Sequence, residues 1–298
     1  MGHDGGVPVQ MKQKIRYVKT TDGVAIAWAR SGQGRTLVRA SNWLTHLEYD
    51  WQSPVWRHWT RFLATNFDYV RYDERGCGLT DWKVSGLSVE RWVADLDAVV
   101  EASKVKKPTL LFGVSQGAAV AIAYAVKYPE RVSGLVLYGG YARGARRRDP
   151  DFAIAHDAMQ ELVRIGWRDP NPVFRQLFTA RFIPDGTEEQ VTWFNDLCQR
   201  TTTPEAAYQL LKARSDVDIC DLLQRVRAPT LVIHGDGDEV VPVSEGHLLA
   251  SEIPGAKFVS LASRNHVLLE HEPAWQDFKD AVLQFTAASL PEAVPLPQ

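Results

Sequence analysis

A chain of 298 residues, 45% hydrophobic and 23% charged, has ordinary globular composition and is long enough for one large domain with an insertion or for two smaller ones. A net charge of −2 argues against nucleic acid or an anionic membrane as partner, and no apolar run approaches the ~18–20 residues of a membrane span. Three cysteines, Cys77, Cys198 and Cys220, give neither a disulfide framework nor metal-ligand spacing, and the opening MGHDGGVPVQ lacks the apolar centre of a signal peptide, so the expected setting is reducing and cytoplasmic.

In chain order, residues 1–13 read as disordered. Lys14 to Thr20 and Val24 to Arg30 alternate around Thr21-Asp22-Gly23 and predict a hairpin. Leu37 to Ala40 reads as a buried strand, followed by a loop from Ser41 to Trp51. Pro54 to Ala64 has helical spacing, with Ser53 as N-cap and Pro54 at N1. Phe67 to Tyr72 predicts a strand and Asp73 to Gly78 a polar, glycine-rich loop. Ser88 caps a helix that runs to Ser103.

The apolar run Pro108 to Phe112 then leads into Gly113-Val114-Ser115-Gln116-Gly117 and a small-residue run, Ala118 to Val126. A buried strand turning sharply into a close-packed helix, with G-x-S-x-G at the corner, is a nucleophile elbow. A Cβ at either flanking glycine would crowd the turn. The strained turn lifts the Ser115 hydroxyl to a helix N-terminus, where unpaired N–H groups favour negative charge. Gly134 to Tyr138 is the next strand.

Strands and helices have alternated to this point, which predicts parallel strands with crossover helices. The alternation breaks at Gly139-Gly140. From Tyr141 to about Arg227 only helices are expected: Phe152 to Ile165, Val173 to Ala180, Glu188 to Arg200 and Pro204 to Ala213. The basic run Arg143 to Arg148 reads as a solvated face or a helix start in preference to an anion site. Alternation resumes with the strand Thr230 to His234, the helix Ser244 to Ile253, the strand Lys257 to Leu261 and the helix Pro273 to Ala287, before a loose Pro-rich tail. The expected organisation is an α/β core in two parts, 1–140 and 228–298, around a helical cap, 141–227. Ligands bind at the carboxyl edge of such sheets, so an insertion rising from that edge would sit over Ser115.

An acid and a base are then required downstream. Asp238, in the loop Gly235 to Pro242 past a strand end, is favoured over Asp236, which reads as a turn former. After the last strand comes Ala262-Ser263-Arg264-Asn265-His266, where His266 can reach an elbow serine. His234 lies at a strand end, and His247 and His271 on predicted helices, so each has a structural explanation.

The order Ser115, Asp238, His266 is that of the α/β-hydrolases, which the chain resembles from about Lys14 to Ala287. The stretches carrying the resemblance are YDERGCGLTD, GVSQG, HGDGDEVVP and NHVLLEHEP. The nearer likeness is to esterases related to enol-lactonases and cofactor-free haloperoxidases, and to hydrolase modules fused to bacterial regulators. This implies an α/β-hydrolase fold, a mostly parallel sheet flanked by helices, with a helical cap inserted after the sixth strand. It implies Ser115, Asp238 and His266 as catalytic residues and no metal or cofactor. Where the family has His-Gly after its third strand, this chain has Ser41-Asn42, then Trp43. Backbone donors do not depend on side-chain identity, so the N–H groups of Trp43 and Gln116 are the candidate oxyanion donors, and Asn tolerates the left-handed region a glycine would occupy.

The expected activity is hydrolysis of a small, apolar carboxylic ester. The alternatives are lactone opening with perhydrolase side activity, or ligand sensing with slow turnover. Trp167, Phe174, Phe178, Phe182 and Trp193 are candidate substrate-wall residues. The expected partner is a small ester or lactone, with no nucleic acid and no membrane; a homo-oligomer is compatible.

Overall fold

The computed structural model describes residues 13–148 and 150–288, so the expectations for residues 1–12 and for the Pro-rich tail lie outside it. The elements alternate as β1 (Lys14–Lys19), β2 (Ala25–Ser31), β3 (Thr36–Ala40), α1 (Arg57–Asn66), β4 (Asp68–Tyr72), α2 (Val89–Ser103), β5 (Thr109–Val114), α3 (Gln116–Lys127) and β6 (Val132–Tyr138). A helical stretch follows: α4 (Pro150–Gly166), α5 (Val173–Phe182), α6 (Glu188–Thr201), α7 (Pro204–Ser215) and the short α8 (Cys220–Leu223). The chain then returns through β7 (Thr230–Gly235), α9 (Val243–Glu252), β8 (Lys257–Leu261) and α10 (Pro273–Ala288). Among the described residues no helix is long and apolar enough to cross a membrane.

The strands form one eight-stranded sheet in the order β1-β2-β4-β3-β5-β6-β7-β8. The β1–β2 and β2–β4 pairs are antiparallel and the rest are parallel. Parallel strands covered on both faces must be apolar on both, and β5 shows this: Leu110, Phe112 and Val114 enter one cluster and Leu111 the other. Trp59 of α1 and Phe278 of α10 pack with Phe112 on the first face, while Trp92, Leu96, Ala118 and Leu249 from α2, α3 and α9 fill the second. Phe178, Phe194, Leu197 and Leu210 of the α4–α8 stretch join the first cluster, so that stretch is packed onto the core.

Most element boundaries lie within about two residues of the sequence reading. The entry to α1 differs. The helix begins at Arg57, not Pro54, and Trp56 occupies the N-cap position without a side-chain bond. Ser53 still satisfies the preceding turn, its hydroxyl accepting from the N–H groups of Val55 and Trp56 at 2.9 Å. Two later caps are legible motifs: Thr187 with Gln190 forms a capping box on α6, and Thr203 followed by Pro204 opens α7.

Candidate active site

Ser115 joins β5 to α3 with φ 53° and ψ −125°, a conformation few non-glycine residues adopt. Its N–H donates to the Tyr138 carbonyl at the end of β6 at 2.9 Å. The flanking glycines are required by close approach. A Cβ on Gly113 would lie 2.6 Å from Ala118 Cα, and one on Gly117 would lie 2.4 Å from the Ala40 carbonyl oxygen. The serine is thus held over the carboxyl edge of the sheet by backbone packing alone.

Asp238 and His266 meet at the same edge. Asp238 Oδ2 lies 2.7 Å from His266 Nδ1, and Oδ1 accepts from the N–H groups of Val240 and Val241 at 2.8 and 2.9 Å. Burial pushes the Asp238 carboxyl up, but the adjoining His266 and His234 imidazoles and the Val241 N–H outweigh it, and the group is held below the usual carboxylate range. Asp236 is exposed, and its described contact is a backbone N–H donated to the Leu261 carbonyl.

The Gly139-Gly140 step connects this pair to the elbow. Gly139, at φ +54°, leaves room for the His266 ring, since a Cβ there would lie 3.3 Å from Cε1 and 3.6 Å from Asp238 Oδ2. A Cβ on Gly140 would lie 3.6 Å from the Ser115 carbonyl oxygen. His266 Nε2 is buried with no hydrogen-bond partner among the described residues, so the Ser115 hydroxyl does not bond to it in this geometry. His234, which the sequence left as structural, lies 3.7 Å from Asp238 Oδ2 and bonds through Nε2 to the Val241 carbonyl.

A cavity of about 80 Å³ opens at Ser115. Of the expected wall residues, Phe178 and Phe182 line it, and Phe182 meets the His266 ring edge-on at 5.4 Å. Trp167, Phe174 and Trp193 are not among the residues that line it. Trp167, just past the end of α4, is buried in the core and stacks on Trp43 at 5.5 Å. Phe174 packs on Gly166, where any Cβ would lie 2.3 Å from it. Trp193 faces away and stacks on Tyr49 at 4.7 Å, beside a separate groove. Of the basic run, Arg146 and Arg147 are exposed on a 3-10 turn, as a solvated face or helix start would be, while Arg143 pairs with Glu245 at 2.7 Å and Arg148 lines the cavity.

Trp43 lines the cavity, and its backbone N–H has no acceptor among the described residues. Gln116, as the first residue of α3, has no helical acceptor for its own N–H. The loop before Trp43 is fixed by side chains. Ser41 donates to the Tyr72 carbonyl at 2.8 Å, Arg39 donates to Asn42 Oδ1 at 2.8 Å, and Asn42 Nδ2 donates to the Trp43 carbonyl at 3.1 Å. The left-handed residue is Leu44, at φ 59°, and not Asn42.

One group was not singled out from the sequence. Arg214 of α7 is ion-paired with Glu74, donates to Gln116 Oε1 at 3.3 Å, and lies 5.2 Å over the Trp43 ring. Its i+4 spacing from Leu210 gave no signal, because its partner comes from a loop 140 residues earlier. Among the described residues no group of three or more His, Cys, Asp or Glu is arranged to hold a metal.

Known proteins resemble this chain over most of its length. A family model described as "Serine aminopeptidase, S33" matches residues 55–273. A pyrrolizixenacetamide deacetylase of Xenorhabdus hominickii is 27% identical over 83% of this chain and 90% of that protein. A 3-oxoadipate enol-lactonase of Acinetobacter baylyi is 25% identical over 89% of this chain and 95% of that protein. A hydrolase of solved structure from Pseudomonas aeruginosa superposes with a TM-score of 0.76 at 26% identity, covering 92% of this chain and 99% of its own.

Proposed function

This chain belongs to the α/β-hydrolase family of the serine aminopeptidase S33 model, and from that premise we propose that it is a serine hydrolase that cleaves small carboxylic esters through an acyl-enzyme intermediate. The observation that carries the reading is the 2.7 Å bond between Asp238 and His266 beside Gly139, one residue from the strand end that anchors Ser115.

In the proposed reaction His266 Nε2 accepts the Ser115 proton as Oγ attacks the substrate carbonyl. Asp238 holds Nδ1 protonated and stabilises the imidazolium that forms. The gap at Nε2 suits an unliganded site, where catalytic hydrogen bonds are often long and tighten on substrate. The tetrahedral oxyanion is met by the N–H groups of Gln116 and Trp43, each worth about 3–4 kcal/mol in such sites. His266 then gives the proton to the leaving alcohol, and water repeats the sequence on the acyl-enzyme. The α4–α8 stretch acts as a cap, with Phe178 and Phe182 as apolar wall and a small cavity that favours short acyl groups.

Lactone opening is the second reading, favoured by the likeness to an enol-lactonase. A panel of p-nitrophenyl esters of rising chain length, simple lactones and p-nitroacetanilide separates the readings. Fast turnover of short esters supports the first, and preference for lactones the second. If Ser115→Ala hydrolyses them all at wild-type rates, neither stands.

A further inference from the structure

Arg39 is a charged residue in an apolar place. It lies in β3, between β4 and β5, and is buried. Its register neighbour on β5 is Phe112, and its guanidinium lies 4.8 Å over the Trp56 ring. Both aromatics belong to the apolar cluster on that face of the sheet. Its Nε is buried with no hydrogen-bond partner among the described residues. A buried guanidinium with an unused donor costs stability, so stability alone does not explain it.

What Arg39 does hold is the side chain of Asn42, donating through Nη2 to Oδ1 at 2.8 Å. A guanidinium has no acceptor, so it dictates which way the Asn42 amide faces. With Oδ1 turned to Arg39, Nδ2 is left to donate to the Trp43 carbonyl, at 3.1 Å. The opposite orientation would set an NH₂ against the arginine and an oxygen against that carbonyl. The Ser41 hydroxyl is within hydrogen-bond reach of the Tyr72 carbonyl at 2.8 Å and of the Asn42 carbonyl at 3.3 Å. The peptide planes on both sides of Trp43 are thus tied down, just before Leu44 turns the chain through the left-handed region at φ 59°. The far end of the loop has its own anchors: Asp50 accepts from the His46 N–H and Asp73 from the Leu47 N–H, each at 3.1 Å.

We propose that Arg39 is a positioning residue of the oxyanion hole: by fixing the direction of the Asn42 amide it locks the Trp43 peptide, so that the Trp43 N–H stays aimed at the oxyanion formed at Ser115. This rests on the hydrolase reading above and assigns the buried residues that hold one of its two donors.

Arg39→Met removes the donors and keeps a flexible apolar stem against Trp56. With p-nitrophenyl butyrate its kcat should fall by about 10- to 100-fold while KM stays within about threefold, because the misplaced N–H matters only in the transition state. Asn42→Asp keeps an acceptor for Arg39 and loses the donor to the Trp43 carbonyl, so it should lose kcat in the same way while its charge pairs with Arg39 and protects the fold. Arg39→Met combined with Asn42→Ala should lose no more than Asn42→Ala alone, as two links of one relay do. An arginine that only stabilises the sheet would lower the unfolding temperature and leave kcat of the folded enzyme unchanged. A kcat within about twofold of wild type in either folded variant, a loss carried by KM, or losses that multiply in the double variant would overturn the proposal.

A second readout needs no turnover. In protein labelled with ¹⁵N-tryptophan, the Trp43 backbone amide signal should be sharp in wild type and broadened by exchange in Arg39→Met and Asn42→Asp. That broadening, in a protein whose wild type hydrolyses no ester, would sink the hydrolase reading and leave the lock on Trp43 standing. An active wild type whose variants change neither the amide signal nor kcat would do the reverse.

Discussion

Replacing Asp238 with Asn tests the acid-base pair through its hydrogen-bond directions. Oδ1 accepts from two buried backbone N–H groups, those of Val240 and Val241, at 2.8 and 2.9 Å, and Oδ2 faces His266 Nδ1 at 2.7 Å. An Asn side chain must choose which side receives its oxygen. Turning the amide NH₂ towards the two backbone donors would leave both unsatisfied, at about 1–3 kcal/mol each, so about 2–6 kcal/mol opposes that orientation. The amide oxygen therefore stays with the backbone and the NH₂ faces His266. Nδ1 must then become an acceptor, which moves the imidazole proton to Nε2 and removes the lone pair that would receive the Ser115 proton.

The fold should survive, because shape and the backbone bonds are kept, while kcat falls by about 10⁴, or about 5 kcal/mol of barrier. The measurement is p-nitrophenyl butyrate hydrolysis near neutral pH, with thermal unfolding as the fold control. Asp236→Asn, at an exposed position, should stay within about twofold of wild type, as surface changes away from a site do. If Asp238→Asn keeps a tenth or more of the wild-type rate, or the ranking of the two variants is reversed, Asp238 is not the acid.

Ser115→Ala should reduce ester hydrolysis to background and leave the unfolding temperature near wild type, since only Oγ is removed; residual turnover close to wild type would dismiss Ser115 as nucleophile. Gly117→Ala places a Cβ 2.4 Å from the Ala40 carbonyl, so β3 and α3 must separate, and a loss of several kcal/mol, of order ~2–4, is expected in thermal or urea unfolding. A stability unchanged within error would mean that the close approach can relax. Burial pushes the His58 imidazole down to about 4 from 6.5, so it is neutral when folded. The unfolded chain binds its proton first, and the stability His58 contributes is full above pH 6.5 and lost as pH falls towards 4. The stability gap between wild type and His58→Gln should therefore shrink by up to about 3 kcal/mol on acidification, whereas parallel pH profiles would contradict the neutral buried state.

How far the site was legible follows from how locally each part is determined. The elbow is read from five residues because its geometry is steric: Gly113 and Gly117 admit no Cβ against Ala118 and Ala40, and the strand and helix on either side are runs of apolar and small residues. Asp238 and His266 were legible as loop residues past strand ends, because a parallel sheet sends every strand's carboxyl end to the same edge. The cavity wall was not legible in this way. Periodicity marks an apolar stripe on a helix but not what the stripe meets, so Phe178 and Trp193 look alike in sequence while one faces Ser115 and the other Tyr49. The basic run was only partly legible for a related reason. Gly144 packs so closely on the backbone of Arg214 and Ser215 that a Cβ would lie 2.3 Å from the Arg214 carbonyl, and Glu245 clamps Arg143 beside it. Beside those two long-range contacts Arg148 lines the cavity, while Arg146 pairs with Asp157 and Arg147 is exposed. Charge sign is written in the sequence, but which member of a charged run faces the cavity is decided by residues about 70 and 100 positions away, and only the folded chain brings them together.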